Sequence, residues 1–381
     1  MLKIQSRLPD VGTSIFSVMS KLAIDSGAIN LSQGFPDFDC APELIALVEK
    51  HLHSGKNQYA PMTGVPVLNE RIAEKVNGLH GSNYRAESEV TVTAGGTQAL
   101  FTAIAATIHP GDEVIIFEPA YDSYIPSIRL FGGVIRSVAL TPPDYRIDWQ
   151  HVRSLVTPRT RMILLNSPQN PSGTILTEED MRQLTDITRD TNIVMLSDEV
   201  YEHLVYDGLQ HQSMARFPEL RERSFIVASF GKLFHTTGWK LGYCVAPAQL
   251  MSEFRKVHQF NVFSVNTPMQ YAAADFLSDP QTYLQLSAFF QRKRDEFTRL
   301  MKETRFDLLP CKGSYFLSAS YSRISGEPDT AFTQRLTKDF GVAAIPVSAF
   351  YAKGNDYGIV RFCFAKKQET LEKAVERLMN V

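Results

Sequence analysis

VTVTAGGTQALFTAIAATIHPG, residues 90–111, contains no Asp, Glu, Lys or Arg. Its length would suffice to cross a membrane, for which about 20 apolar residues are needed. Its centre argues otherwise. TAGGTQ, residues 93–98, places two glycines among hydroxyl and amide side chains in the middle of the run. Such a segment interrupts regular structure, and its polar groups would have no partners in lipid. The run therefore reads as a short strand at 90–94, a tight turn and a buried helix at 97–106. A strand that feeds a helix through a glycine turn is a building unit of α/β folds, so this stretch decides the fold class.

The same texture continues outward. EVIIFE (113–118), GVIRSVAL (133–140), RMILLN (161–166), NIVMLSD (192–198), SFIVAS (224–229) and GYCVA (242–246) are further strand candidates. Helical patterns separate many of them. One at 177–190 opens with Thr177-Glu178-Glu179-Asp180, a capping box in which Asp stands in for Glu. Short runs rich in Val and Ile, bounded by helices, predict a mostly parallel sheet covered on both faces. After about Thr267 the pattern changes. A charged helix at 279–303 leads to SYFLSAS, GVAAIPV and GIVRFCFA, and an amphipathic helix at 367–379 follows. Residues 1–41 show no sheet-like run and are expected to pack with this later part. The predicted organisation is an α/β large domain over 42–275 and a smaller α+β domain built from 1–41 and 276–381.

Composition narrows the function classes. Charged residues are 21% of the 381, and the formal net charge is −2. Neither nucleic acid nor an anionic membrane is expected as a partner. Cys40, Cys244, Cys311 and Cys363 share no short spacing, which argues against a metal cluster and against a disulfide framework. The N-terminal MLKIQSRLPD lacks the apolar core of a secretory signal, so a cytoplasmic location is expected.

Open α/β sheets bind ligands beyond the carboxyl ends of their strands, and the polar motifs fall there. Gly95-Gly96-Thr97 offers bare amides and a hydroxyl at a helix start, which is a seat for phosphate. Tyr121 follows one strand and Asn170-Pro171-Ser172-Gly173 another. Asp198 ends an apolar strand and Tyr201 follows it; a carboxylate there needs a partner. SFGKLFHTTGWKLGY, residues 229–243, holds Lys232 and Lys240 with no carboxylate between them. Taken singly, each is an ordinary turn, cap or surface charge. As an ordered set they are the parts that hold pyridoxal 5′-phosphate: a lysine for its aldehyde, an acid for its ring nitrogen, donors for its ring hydroxyl, an aromatic to stack, and a phosphate seat with a cation.

With these motifs in place, the chain resembles the class I/II aminotransferases of PLP-dependent fold type I over essentially its whole length. SFGKLFHTTGWKLGY resembles the family's lysine signature, NPSG its asparagine turn, DEVYE its aspartate–tyrosine pair and GIVRFCFAK its arginine segment. LSQGFPDF (31–38), NQYAPMTGVPVL (57–68), EPAYDSY (118–124) and HQFNVFSVNTPMQ (258–270) are similar to the branch containing bacterial methionine aminotransferases and kynurenine–glutamine aminotransferases. The resemblance implies roles. Lys232 would bond the cofactor and move the substrate proton, assisted by Asp198 and Tyr201. Gly96, Thr97, Ser229 and Lys240 would bind phosphate. Gly238-Trp239 and Leu241-Gly242 beside Lys240 suggest that it is buried. Tyr121 would stack on the ring, Asn170 and Tyr201 would hold its hydroxyl, and Asp198 its nitrogen. Arg361 would grip the substrate carboxylate, with Asn170 and the Gly34 backbone. Tyr59 would reach the phosphate of a partner subunit, which implies a homodimer with shared sites.

The implied activity is ping-pong transfer of an amino group between an amino acid and a 2-oxo acid. Phe16, Tyr59, Tyr121 and Phe263 match positions that surround the substrate in this branch and predict an apolar, aromatic pocket. Such a pocket suits methionine and aromatic or large neutral donors, since sulfur–aromatic contacts contribute about 0.3–1.5 kcal/mol. Ser264-Val265-Asn266 follows Phe263 where the kynurenine type has histidine, which favours the methionine type. The alternative is a kynurenine–oxoglutarate aminotransferase with cysteine-conjugate β-lyase side activity. A PLP-sensing regulator is disfavoured, because the aminotransferase-like LSQGFPDF already begins at residue 31.

Overall fold

The computed structural model describes residues 2 and 4–381. A two-residue strand, β1 (Ile29–Asn30), precedes seven longer ones: β2 (Val90–Thr93), β3 (Glu113–Glu118), β4 (Val134–Ala139), β5 (Thr160–Asn166), β6 (Val194–Asp198), β7 (Ser224–Ser229) and β8 (Gly242–Val245). These seven form one sheet in the order β2-β8-β7-β6-β5-β3-β4. β8 runs antiparallel to both its neighbours, and the remaining pairs are parallel. Alternation along each strand feeds two hydrophobic cores. Ile115, Phe117, Ile163, Leu165 and Met195 belong to one. Val114, Ile116, Met162, Leu164 and Leu196 belong to the other. Burial on both faces explains why these strands read as continuous apolar runs. Each such side chain contributes about 1.5–3 kcal/mol by leaving water. The capping box at Thr177 and Asp180 forms as expected and starts the helix Glu178–Thr188.

The later part of the chain builds a second sheet from β9 (Asp307–Leu308), β10 (Phe316–Ser320), β12 (Ile345–Pro346) and β13 (Ile359–Cys363), in the order β12-β13-β10-β9; β11 (Val342–Ala343) lies outside it. Two expectations need correction here. Residues 1–41 do contribute a strand: β1 pairs in parallel with β11, Ile29 opposite Val342. A two-residue strand carries too little periodicity to be seen in sequence. The helix expected at 279–303 is divided into Gln281–Leu284 and Leu286–Met301. Gln285, with ψ −12°, turns its peptide away from regular helical geometry at the junction.

Candidate active site

Adjacent strand ends bring the polar motifs together. Asn166 and Asp198 are register partners at the ends of β5 and β6. Ser229 pairs with Gly242, and Gly242 pairs with Thr93. The helix Gly96–Thr107 therefore begins beside Ser229 and Lys240. Gly95, its N-cap, has φ +81°, a conformation that side-chain-bearing residues rarely adopt. A Cβ added to Gly242 would lie 2.8 Å from the Ala228 carbonyl oxygen and 3.0 Å from the Gly96 nitrogen. The bare backbone at 242 thus permits the two strand ends to close up under the helix start. An ideal Cβ on Gly95 would stand 3.4 Å from Lys240 Nζ, so the ammonium lies against the same turn.

Twelve of the fourteen residues singled out in the sequence line one cavity of about 270 Å³; only Tyr59 and Phe263 do not. On its floor, Lys232 Nζ donates to the Gly34 carbonyl at 2.9 Å and to the Tyr315 hydroxyl at 2.8 Å. Burial brings the Lys232 ammonium down to about 8; the nearby Cys363 thiol opposes this, while Arg361 assists it. Asp198 is 4% exposed. Its Oδ2 accepts from Tyr124 at 2.5 Å, and burial pushes its carboxyl up to about 6 against that hydrogen bond. Burial likewise drives the Tyr201 phenol well above its ordinary range, so it is a neutral donor at physiological pH.

Arg361 is fully buried on β13. Nη1 donates to Asn170 Oδ1 at 2.6 Å and Nη2 to the Ser32 carbonyl at 2.7 Å. The guanidinium lies 3.8 Å from the Phe316 ring centroid and 5.3 Å from that of Phe16. Its Nε has no partner. A buried N–H without an acceptor is costly, and a bound carboxylate would satisfy it. Phe16 and Tyr121 face each other at 6.5 Å across the apolar side.

Several partners escaped the sequence reading. Tyr124 holds Asp198 across 74 residues, and Tyr315 meets Lys232 across 83. Asn166 accepts from the Asn170 amide and donates to the Asp198 carbonyl. Tyr124 belongs to the EPAYDSY stretch already quoted, three residues past Tyr121, and is the one for which a local signal existed. Lys240 departs from expectation: it lines the cavity, its backbone at φ +56°, but it is exposed rather than buried. Tyr59 is 84% exposed and Phe263 50% exposed. They pack edge to face at 5.4 Å on the surface, so within this chain neither walls the pocket as expected. Among the described residues there is no group of three or more His, Cys, Asp or Glu placed to hold a metal, and no helix long and apolar enough to cross a membrane.

A half-buried amine of lowered basicity, a buried acid and an arginine with a free donor suit binding an amino acid and moving its α-proton. The chain belongs to the class I and II aminotransferases, whose family model matches residues 26–378. It is 50% identical over 378 residues to the methionine aminotransferase of Escherichia coli K12, covering 99% of this chain and 98% of that one. A solved structure of an Escherichia coli methionine aminotransferase superposes with a TM-score of 0.98 at 49% identity, covering 100% of both chains. Kynurenine–oxoglutarate transaminase 1 of Rattus norvegicus is 34% identical, covering 98% of this chain and 96% of its own.

Proposed function

We propose that this aminotransferase moves the amino group of methionine, or of an aromatic or large neutral amino acid, to a 2-oxo acid, with pyridoxal 5′-phosphate bound at Lys232. The observation that carries this reading is the convergence of Lys232, Asp198 and Arg361 on one cavity. The residues fit the cofactor. Gly95 and Gly96 leave a cradle that side chains would fill, and Arg361 Nε awaits an acceptor. When bound, the cofactor supplies an aldehyde to carry the amino group and a ring that withdraws electrons. Gly96, Thr97, Ser229 and Lys240 hold its phosphate. Asp198 keeps a proton at the ring nitrogen, Asn170 and Tyr201 hold the ring hydroxyl, and Tyr121 covers one face. Lys232, as a neutral amine, would take the proton from the substrate Cα and return it to the cofactor carbon on the far side of the nitrogen, two bonds along. Arg361, Asn170 and the Gly34 backbone orient the substrate through its carboxylate.

Phe16, Tyr121 and Phe316 support an apolar donor. Asp122, an electrostatic neighbour of Arg361, opposes an acidic one. The surface placement of Tyr59 and Phe263 supports a homodimer in which each serves the other subunit's site. The chain divides into 42–275 and a smaller part made of 1–41 and 276–381, and works in the cytoplasm. The test is a donor panel measured as kcat/KM, with methionine expected first, Phe, Tyr, Leu, His and Gln behind, and aspartate poor. Aspartate or alanine outperforming methionine would overturn the reading. Pyruvate released from a cysteine conjugate without any 2-oxo acid would instead indicate β-lyase activity.

A further inference from the structure

Tyr315 lies in the strand candidate SYFLSAS and in none of the ligand-binding motifs, yet it touches the amine at the centre of the site. Lys232 Nζ donates to the Tyr315 hydroxyl at 2.8 Å and to the Gly34 carbonyl at 2.9 Å. The Tyr315 hydroxyl donates in turn to the same carbonyl. Amine, phenol and peptide carbonyl thus close a triangle. Tyr315 is 1% exposed. Its ring meets Tyr201 edge-on at 5.1 Å and Phe316 at 4.9 Å, with Phe290 at 5.8 Å. With its ring held by three others, the hydroxyl has little freedom to leave the amine.

We infer that Tyr315 is the positioning residue for the Lys232 amine, its hydroxyl and the Gly34 carbonyl forming the seat that holds the amine whenever it is not bonded to the cofactor. The inference rests on the reading of Lys232 as the catalytic amine. The seat fixes where the amine stands when it takes the proton from the substrate Cα, which is worth rate because misplacement by an ångström is costly. It also has an electrostatic sign. An acceptor aimed at an ammonium favours the charged form, whereas burial disfavours it. Burial has the larger effect on Lys232, and the phenol stays protonated because its own burial holds it well above the ordinary tyrosine range. The other groups facing Lys232 are Cys363 and Arg361 on β13, Asp198 on β6, Lys240 and the Tyr201 ring. Replacing Tyr315 by Phe keeps these groups and the ring contacts, and it also removes the hydroxyl's hydrogen bond with Tyr201. It removes one acceptor, so the amine should lose its proton at lower pH.

The test uses wild-type and Tyr315→Phe holoenzyme. Borohydride reduction and peptide mapping of the wild type come first; label on any residue but Lys232 overturns the lysine reading itself, whatever Tyr315 does. With the label on Lys232, the acid limb of the kcat profile for methionine should move down by about one pH unit in Tyr315→Phe, as expected for one lost charge-assisted hydrogen bond. Plateau kcat should fall about tenfold through lost positioning, with KM, cofactor content and Tm kept. Tyr315→Gln, which returns an oxygen acceptor without the ring, should bring the limb back toward the wild-type position. An acid limb that does not move in Tyr315→Phe overturns the proposal. So does a loss of kcat matched by equal loss of cofactor and Tm, which marks a structural role. If the Phe variant does not fold, a Gln variant whose limb departs from that of the wild type overturns it as well.

Discussion

Arg361→Met is the sharpest perturbation of the substrate-binding side. Methionine matches the volume of an arginine stem and can pack against Phe16, Phe316 and Phe350, which surround the guanidinium at 3.8–5.4 Å. It cannot bind a carboxylate. Each charge-assisted hydrogen bond contributes about 1.5–3 kcal/mol, so losing a two-bond grip should cost about 3–6 kcal/mol in the transition state. That corresponds to a fall in kcat/KM of at least roughly 150-fold, and up to about 25,000-fold, with methionine as donor. The variant also leaves Asn170 Oδ1 and the Ser32 carbonyl without their donors, so some stability is lost as well. The assay separates the two effects by pairing methionine with 3-(methylthio)propylamine, the same side chain and amine without the carboxylate. The amine should be a poor substrate of the wild type and lose little further in the variant. Equal losses for both substrates would refute the reasoning and make Arg361 a structural residue.

Other consequences follow from the same geometry. Asp198→Ala should lose transamination far more than cofactor content, because the task proposed for it is to hold a proton on the ring nitrogen; parallel loss in turnover and absorbance titrations would make it a binding residue only. Mixed dimers of Tyr59→Phe and Lys232→Ala chains should contain one site bearing both lesions and one bearing neither, if Tyr59 serves the partner. Activity in such mixtures that follows the fraction of intact Lys232 chains, reduced as in the Tyr59→Phe protein, would show that Tyr59 acts within its own chain. Lys75→Met should destabilise by about 3–5 kcal/mol, read as an earlier urea midpoint, because buried Glu202 loses a 2.6 Å ion pair. Lys75→Met/Glu202→Gln should recover part of that; a double variant no more stable than the single one would count against the ion-pair account.

What was legible in the sequence follows from where its signals are local. β3 and β7 are read to the residue from EVIIFE and SFIVAS, because strands buried on both faces must be apolar throughout. The lysine, aspartate, asparagine and glycine-turn positions are legible because ligand-binding residues follow strand ends, and each motif carries its own strand. The sequence also carries enough of the family's pattern to identify the aminotransferase class. Tertiary structure alone decided the rest. Strand order, which sets Gly242 between Ser229 and Thr93 and so brings Ser229 to the glycine turn, is a property of pairing between distant segments. Tyr124 on Asp198 and Tyr315 on Lys232 join residues 74 and 83 positions apart, with no periodicity to announce them. Lys240 is flanked by apolar and glycine residues yet is exposed, with a left-handed backbone angle invisible in composition and its ammonium against the Gly95 turn. Local chemistry determines which groups a strand end presents; only the packing of remote segments determines which of them meet, how deeply they are buried, and therefore what their protons do.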